Sequence, residues 1–167
     1  MNWTILSTSA EIIGSLAVVI SVIYLAIQIR LGAKTLRTTM RDNAFQSLQE
    51  WNYAVAGDPD LPSIISRGSK DLDSLNPKER ARFIHIMFSF FKVWERLYLH
   101  YLEGSVDETV WTRNKLFLAS YLHQPGSRYY WDNRKAAYDP RFQEEADKME
   151  APPIPPTSKL VDGSEDN

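Results

Sequence analysis

Eighteen consecutive positions, Ile12 to Ile29 (IIGSLAVVISVIYLAIQI), carry no formal charge, and Arg30, Lys34, Arg37 and Arg41 follow at once. As a helix the run covers roughly 27 Å, close to the ~30 Å hydrocarbon core of a bilayer. This predicts one transmembrane helix, spanning about residues 5–29 inside an anchor of residues 1–31. No Lys or Arg precedes the run, so the positive-inside rule places the C-terminal side in the cytoplasm and the N-terminus in the periplasm. A signal peptide fits less well. The leading MNWTILSTSAE has no basic residue, the apolar core is long, and no small-residue cleavage pattern follows Ile29. Trp3 stands where an interfacial aromatic is expected.

The faces of this helix differ. Ala10, Gly14, Ala17, Ser21, Tyr24 and Gln28 recur at alternating steps of four and three, which places them on one stripe. Ile, Leu and Val occupy the remaining faces and suit lipid. Small residues let a second backbone approach, and Ser and Gln can hydrogen-bond across such a contact. The stripe is therefore the expected transmembrane interface, although small residues are common in membrane helices in any case. Glu11 borders the run and joins this interface set. Its carboxylate either reaches the headgroups or pairs with a partner helix. Arg30, Lys34, Arg37 and Arg41 are expected at the membrane surface, where they complement anionic lipid.

Past the anchor every local signal is helical. From Ala33 to Ala56, Leu36, Met40, Ala44, Leu48, Trp51 and Val55 recur at helical spacing, and Gly57 stops the run. Gly32 is the only weak point between this segment and the membrane helix. Asp58-Pro-Asp-Leu-Pro turns the chain into a short helix over Leu61–Ser66, closed by Gly68. Asn76, Pro77 and Glu79 are N-cap, N1 and N3 of the strongest soluble helix, which runs to Glu103 and ends at Gly104. Asp107 and Glu108 open another that ends near His123, with Pro125 and Gly126 as breakers. Stretches 127–137 and 140–149 complete the set. No alternating strand pattern competes. The expected fold is all-α: one N-terminal transmembrane helix and, over residues 32–150, a small cytoplasmic bundle of about five helices. Residues 151–167 read as a proline-rich, acidic and flexible tail.

The helix from Pro77 to Glu103 is apolar around much of its circumference. Lys92, Glu95 and Arg96 at its middle argue against a second span, since each charge at a bilayer centre costs about 2.5–3.5 kcal/mol. It reads instead as the central helix. Phe83, Met87, Phe90, Trp94, Leu97 and Tyr101 form its core stripe, and Leu48, Trp51, Trp111, Leu116, Leu118 and Leu122 are its partners. Glu95 and Arg96 are the polar groups expected nearest that core, where a carboxylate would be paired or hydrogen-bonded.

Chemistry has little support in these residues. The absence of Cys excludes thiolate chemistry and disulfides and agrees with a cytoplasmic domain. His85, His100 and His123 stand apart. His100 with Glu103 has the spacing of a di-iron helix but the reverse order, and no second such pair exists. No glycine-rich phosphate loop or serine elbow occurs. No catalytic residue, metal or cofactor is expected. The net charge of −2 gives no reason to expect nucleic acid. Its distribution is uneven: residues 30–56 carry four basic and two acidic groups, residues 138–167 three basic and eight acidic. Arg128, Tyr129, Tyr130, Trp131 and Arg134 form a candidate protein interface, because Tyr, Trp and Arg concentrate binding energy. The same residues also build helix cores.

Several segments carry a resemblance: SLAVVISVIYLAIQIRLGAKTLR, NPKERARF, FFKVWERLYLHYLEG, DETVW and GSRYYWDNRKAAYDPRF. Over about residues 3–145 the chain resembles a widespread family of uncharacterised bacterial single-pass inner-membrane proteins, judged on these motifs. The resemblance implies an N-terminal anchor and a small helical cytoplasmic domain, and no activity. The expected function is a non-enzymatic accessory or scaffolding subunit of a larger inner-membrane complex, respiratory, photosynthetic or transport-related. Its partners would be integral membrane proteins and the lipid bilayer, with self-association open. The alternative is a membrane-anchored sensor that binds a small ligand in the helical domain. An enzyme acting on lipid-phase substrates ranks last, since no acid, base and nucleophile converge.

Overall fold

The computed structural model describes the backbone of residues 3–153 and the side chains of 14, 16–33, 35, 39 and 45–153. Among the described residues all regular structure is helical: α1 (Trp3–Ala56), α2 (Leu61–Lys70), α3 (Pro77–Leu102), α4 (Glu108–Leu122), α5 (Pro125–Arg134) and α6 (Pro140–Asp147). Short 3₁₀ turns, Leu72–Ser74 and Lys135–Ala137, follow α2 and α5. The chain divides into two compact units, residues 1–39 and 40–167. The acidic part of the tail expected to be flexible, from residue 154 on, lies outside the described residues.

In the first unit one helix is long and apolar enough to cross a membrane. Its 18-residue window, Leu16–Ala33, has no residue buried. Leu16, Val19, Ile23 and Ile27 are each more than half exposed. α1 passes Gly32 without interruption, because an isolated glycine costs a helix interior only about 1 kcal/mol.

The second unit is organised around α3. Its start is a complete capping box: the Glu79 N–H donates to Asn76 Oδ1 and the Asn76 N–H donates to Glu79 Oε2, both at 3.0 Å. The other oxygen of Glu79 receives Arg67 of α2 at 2.6 Å, so the cap also ties two helices together. The helix ends where Gly104 turns into the left-handed region, at φ 71°. The Ser105 N–H then reaches back to the His100 carbonyl at 2.9 Å, satisfying an end carbonyl that would otherwise lack a partner.

Phe90 and Phe91 lie about 100° apart around α3, and each nucleates an aromatic cluster. Phe90 packs on Trp51 and Tyr121, with ring centroids at 5.0 and 4.8 Å. Phe91 packs on Trp131 of α5 at 4.9 Å, and Trp131 in turn meets Tyr138 and Phe142. Phe83, Met87, Trp94, Leu97, Trp111, Leu118 and Leu122 complete a buried core. Of the expected stripe and its partners, Tyr101, Leu48 and Leu116 are half-buried. Glu95 is the buried polar group of α3. It is paired with Lys92 at 2.7 Å, and its other oxygen accepts the Asp139 N–H that opens α6. Arg96 points elsewhere, to Ser47.

Two glycines expected to end helices lie inside them. α2 continues through Gly68 to Lys70, and α5 begins at Pro125, so that Pro125 and Gly126 are its first residues. The reason is packing. A Cβ on Gly126 would lie 1.9 Å from the Gly68 carbonyl oxygen. The bare Gly126 lets α2 and α5 cross this closely, a Gly68 Cβ would stand 2.7 Å from side-chain carbons of Leu75 and Phe83, and Ser69 and Ser127 beside them are wholly buried.

Candidate functional site

In the first unit, Gly14, Ala17, Ser21, Tyr24 and Gln28 are exposed, with nothing within 4 Å of where a Gly14 Cβ would stand. The Ser21 hydroxyl donates to the Ala17 carbonyl at 2.8 Å. This back-bond satisfies the hydroxyl within its own helix while leaving its oxygen able to accept from a neighbour. The side chains of Ala10, Glu11, Lys34, Arg37 and Arg41 lie outside the described residues. Arg30 is exposed just past the apolar run.

The α5 cluster divides by helical position. Tyr130 and Trp131 face inward, at 4% and 0% exposure, and belong to the core around Phe91. Burial pushes the Tyr130 phenol up from its ordinary range, and its hydroxyl lies 3.0 Å from that of Tyr138. Tyr138 is pushed up further by burial, with Lys92 Nζ 4.6 Å from its ring centre. These two hydroxyls satisfy each other inside the core, as buried polar groups must.

Arg128 is half-buried and committed to acidic partners, Asp132 at 2.9 Å and Asp147 at 3.3 Å. Asp147 gathers further donors, the Trp131 indole at 2.8 Å and Lys135 at 2.6 Å. Burial would raise its carboxyl, but the hydrogen bonds from Lys135 and Trp131 outweigh burial and hold it below the usual range. Asp147 closes α6, where a negative charge is unfavourable beside the helix dipole. The three donors offset that placement and fasten α6 to α5.

Tyr129 and Arg134 remain on the outside, with Tyr129 61% exposed. Both line a groove of about 370 Å3 between α5, the start of α3 and the turn after α2. Its floor is Leu72, Phe83, Ile84 and Tyr130; its rim is Arg80, Tyr129, Asn133 and Arg134. Arg80 donates to the Leu72 carbonyl at 2.9 Å and pairs with Asp73 at 2.7 Å. The Arg134 guanidinium has no hydrogen bond or ion pair among the described residues. A second, smaller hollow of about 280 Å3 adjoins and shares Leu72, Arg80 and Tyr129.

Leu72, Arg80 and Asn133 were not singled out in the sequence. They come from segments about fifty residues apart, and no local pattern reports that approach. The paired dipeptides Gly68-Ser69 and Gly126-Ser127, which let α2 and α5 close up, are the one signal that could have indicated it. Among the described residues no three His, Asp or Glu side chains cluster as metal ligands would.

No protein-family model matches the chain, nor does any curated protein or solved structure. The functional reading therefore rests on the residues alone.

Proposed function

We propose that this chain is a non-enzymatic accessory or scaffolding subunit of a larger bacterial inner-membrane complex, respiratory, photosynthetic or transport-related. It belongs, on this reading, to the single-pass family that its motifs resemble. It docks through its transmembrane helix and the membrane-proximal part of a cytoplasmic bundle of about five helices. The observation that carries the reading is the bare apolar window Leu16–Ala33. In the second unit Phe83, Phe91, Trp94 and Trp131 are enclosed at 0–1% exposure. A chain that buries these rings leaves the 18-residue window Leu16–Ala33 bare because lipid and a partner helix cover it. The basic residues after Ile29 support an N-out, C-in orientation, and Gly14, Ser21 and Gln28 supply the surface for a helix contact.

Affinity purification of the tagged full chain from native membranes in mild detergent, followed by mass spectrometry, tests this. The expected result is retention in the membrane fraction after alkaline extraction, with stoichiometric recovery of one or more integral membrane proteins. Recovery as a lone monomer would overturn the subunit reading. An intact mass lacking the first thirty or so residues would show a cleaved signal sequence and overturn the anchor.

A further inference from the structure

We propose that the groove between α3 and α5 binds an aryl monocarboxylate, a flat aromatic body carrying a single carboxylate. The inference is independent of the subunit reading above. Its first support is electrostatic. The groove's lining carries two guanidiniums, Arg80 and Arg134, and no carboxylate. Three other hollows mix signs: Lys115 and Lys148 with Glu145 and Glu150, Arg67 and Arg82 with Asp60 and Glu79, and Lys70 and Arg80 with Asp71 and Asp73.

The charge balance selects a monoanion. Asp73 already neutralises Arg80 at 2.7 Å, so among the described residues one guanidinium of this lining is unmatched, that of Arg134. Its field reaches the floor, where it favours ionisation of the Tyr130 phenol against the dominant effect of burial. A guanidinium presents a planar fork of donors that matches a carboxylate in two parallel bonds.

The body of the ligand follows from the rings. Phe83 and Tyr130 lie in the floor and Tyr129 stands at the rim. The Tyr130 hydroxyl is already occupied by Tyr138 at 3.0 Å, so this ring offers the groove an apolar surface. Aromatic rings pack on one another in offset or edge-to-face geometry, which suits a planar guest. A volume of about 370 Å3 lies at the lower end of ligand-binding clefts and suits a small molecule.

Isothermal titration of the full chain in lipid nanodiscs with 2-naphthoate, corrected with empty nanodiscs, tests the proposal. The neutral isostere 2-naphthamide is titrated in parallel. The expected result is saturable 2-naphthoate binding, at least about tenfold tighter than the amide, since only the carboxylate brings the opposite charge and accepts both parallel donors of the guanidinium fork. Arg134→Gln should weaken 2-naphthoate about tenfold while leaving the amide unchanged. Arg113→Gln, at an exposed site outside the groove, should leave both unchanged. The Arg134 side chain makes no hydrogen bond or ion pair among the described residues, so its replacement leaves the helices intact, which circular dichroism verifies. Equal affinity for acid and amide would overturn the proposal and assign the groove to apolar packing by a partner. Wild-type 2-naphthoate affinity in Arg134→Gln, or no saturable binding at millimolar concentration, would overturn it as well.

Discussion

Replacing Gly126 with alanine tests the crossing of α2 and α5 in the second unit. The added Cβ would stand 1.9 Å from the Gly68 carbonyl oxygen and 3.1 Å from that of Ser69. Ordinary contact begins near 3.4 Å, so one backbone must retreat by about 1.5 Å in a close-packed interior. The obstacle is backbone and cannot rotate away. A gap of 0.5–1 Å already forfeits a quarter to a half of each dispersion contact along the crossing. Overpacking typically costs about 1–3 kcal/mol, and a backbone clash of this depth belongs at the upper end, about 3 kcal/mol. At about 2–4 °C per kcal/mol for a chain of this size, the melting temperature should fall by about 10 °C. Thermal unfolding of the full chain in detergent micelles, followed by circular dichroism, reads the shift. Gly14→Ala, with nothing near its Cβ, is the matched control and should leave the curve in place. Gly68→Ala meets only side-chain carbons of Leu75 and Phe83, at 2.7 Å, and should cost less than Gly126→Ala. Melting of Gly126→Ala within about 3 °C of wild type would refute the close approach of α2 and α5.

Three further outcomes can be measured. Glu95→Ala leaves Lys92 without its carboxylate and the Asp139 N–H without its acceptor; it should cost about 2–3 kcal/mol in a urea titration, and Glu95→Gln, which keeps an acceptor, about 1 kcal/mol. Acid should destabilise the fold as pH falls from about 4.5 toward 2. Asp139 is held at about 2 against an ordinary 3.8 by Arg141, and Glu79 is held low by Arg67 and the Asn76 N–H. In that window the unfolded chain binds more protons than the native one, so lowering the pH favours unfolding. Asp139→Asn should flatten the acid limb of the urea midpoint against pH, and an unchanged limb would exclude Asp139 as a contributor. In a membrane two-hybrid assay, Gly14→Leu with Ser21→Leu should weaken association of the anchor; wild-type association would dismiss the small-residue stripe as its interface.

The parts of this fold legible in the sequence are those set by neighbours along the chain. Asn76, Pro77 and Glu79 announced the start of α3 because a capping box closes within four residues. Phe83, Met87, Phe90, Trp94 and Leu97 announced its buried stripe because one face repeats every turn. Phe91 escaped the stripe and yet is wholly buried, because α3 is covered on a second side by α5 and α6. That second cover depends on contacts between distant segments, which periodicity does not encode. Gly68 and Gly126 failed as helix stops for the same reason. In isolation a glycine or a Pro-Gly pair weakens a helix by backbone entropy, about 1 kcal/mol per glycine. Here the bare Gly126 admits the backbone of α2 and the bare Gly68 admits the side chains of Leu75 and Phe83, and the packing they allow outweighs that cost.

The α5 cluster shows why the site was harder to read than the fold. Arg128, Tyr129, Tyr130, Trp131 and Arg134 look uniform in sequence, since aromatic and arginine residues serve cores and interfaces alike. A helix advances 100° per residue, so seven positions pass through every environment around it. Tyr130 and Trp131 turn into the core, Arg128 turns to Asp132 and Asp147, and Tyr129 and Arg134 turn to the groove. Which residue takes which role is decided by α2, α3 and α6. The distinction that matters for binding is then one of partners. Arg80, Arg128 and Lys135 each have a carboxylate within the fold, and Arg134 has none among the described residues. An arginine whose charge is already matched stabilises the chain's own geometry. One left unmatched among the described residues, beside aromatic rings, retains its donors for an anion.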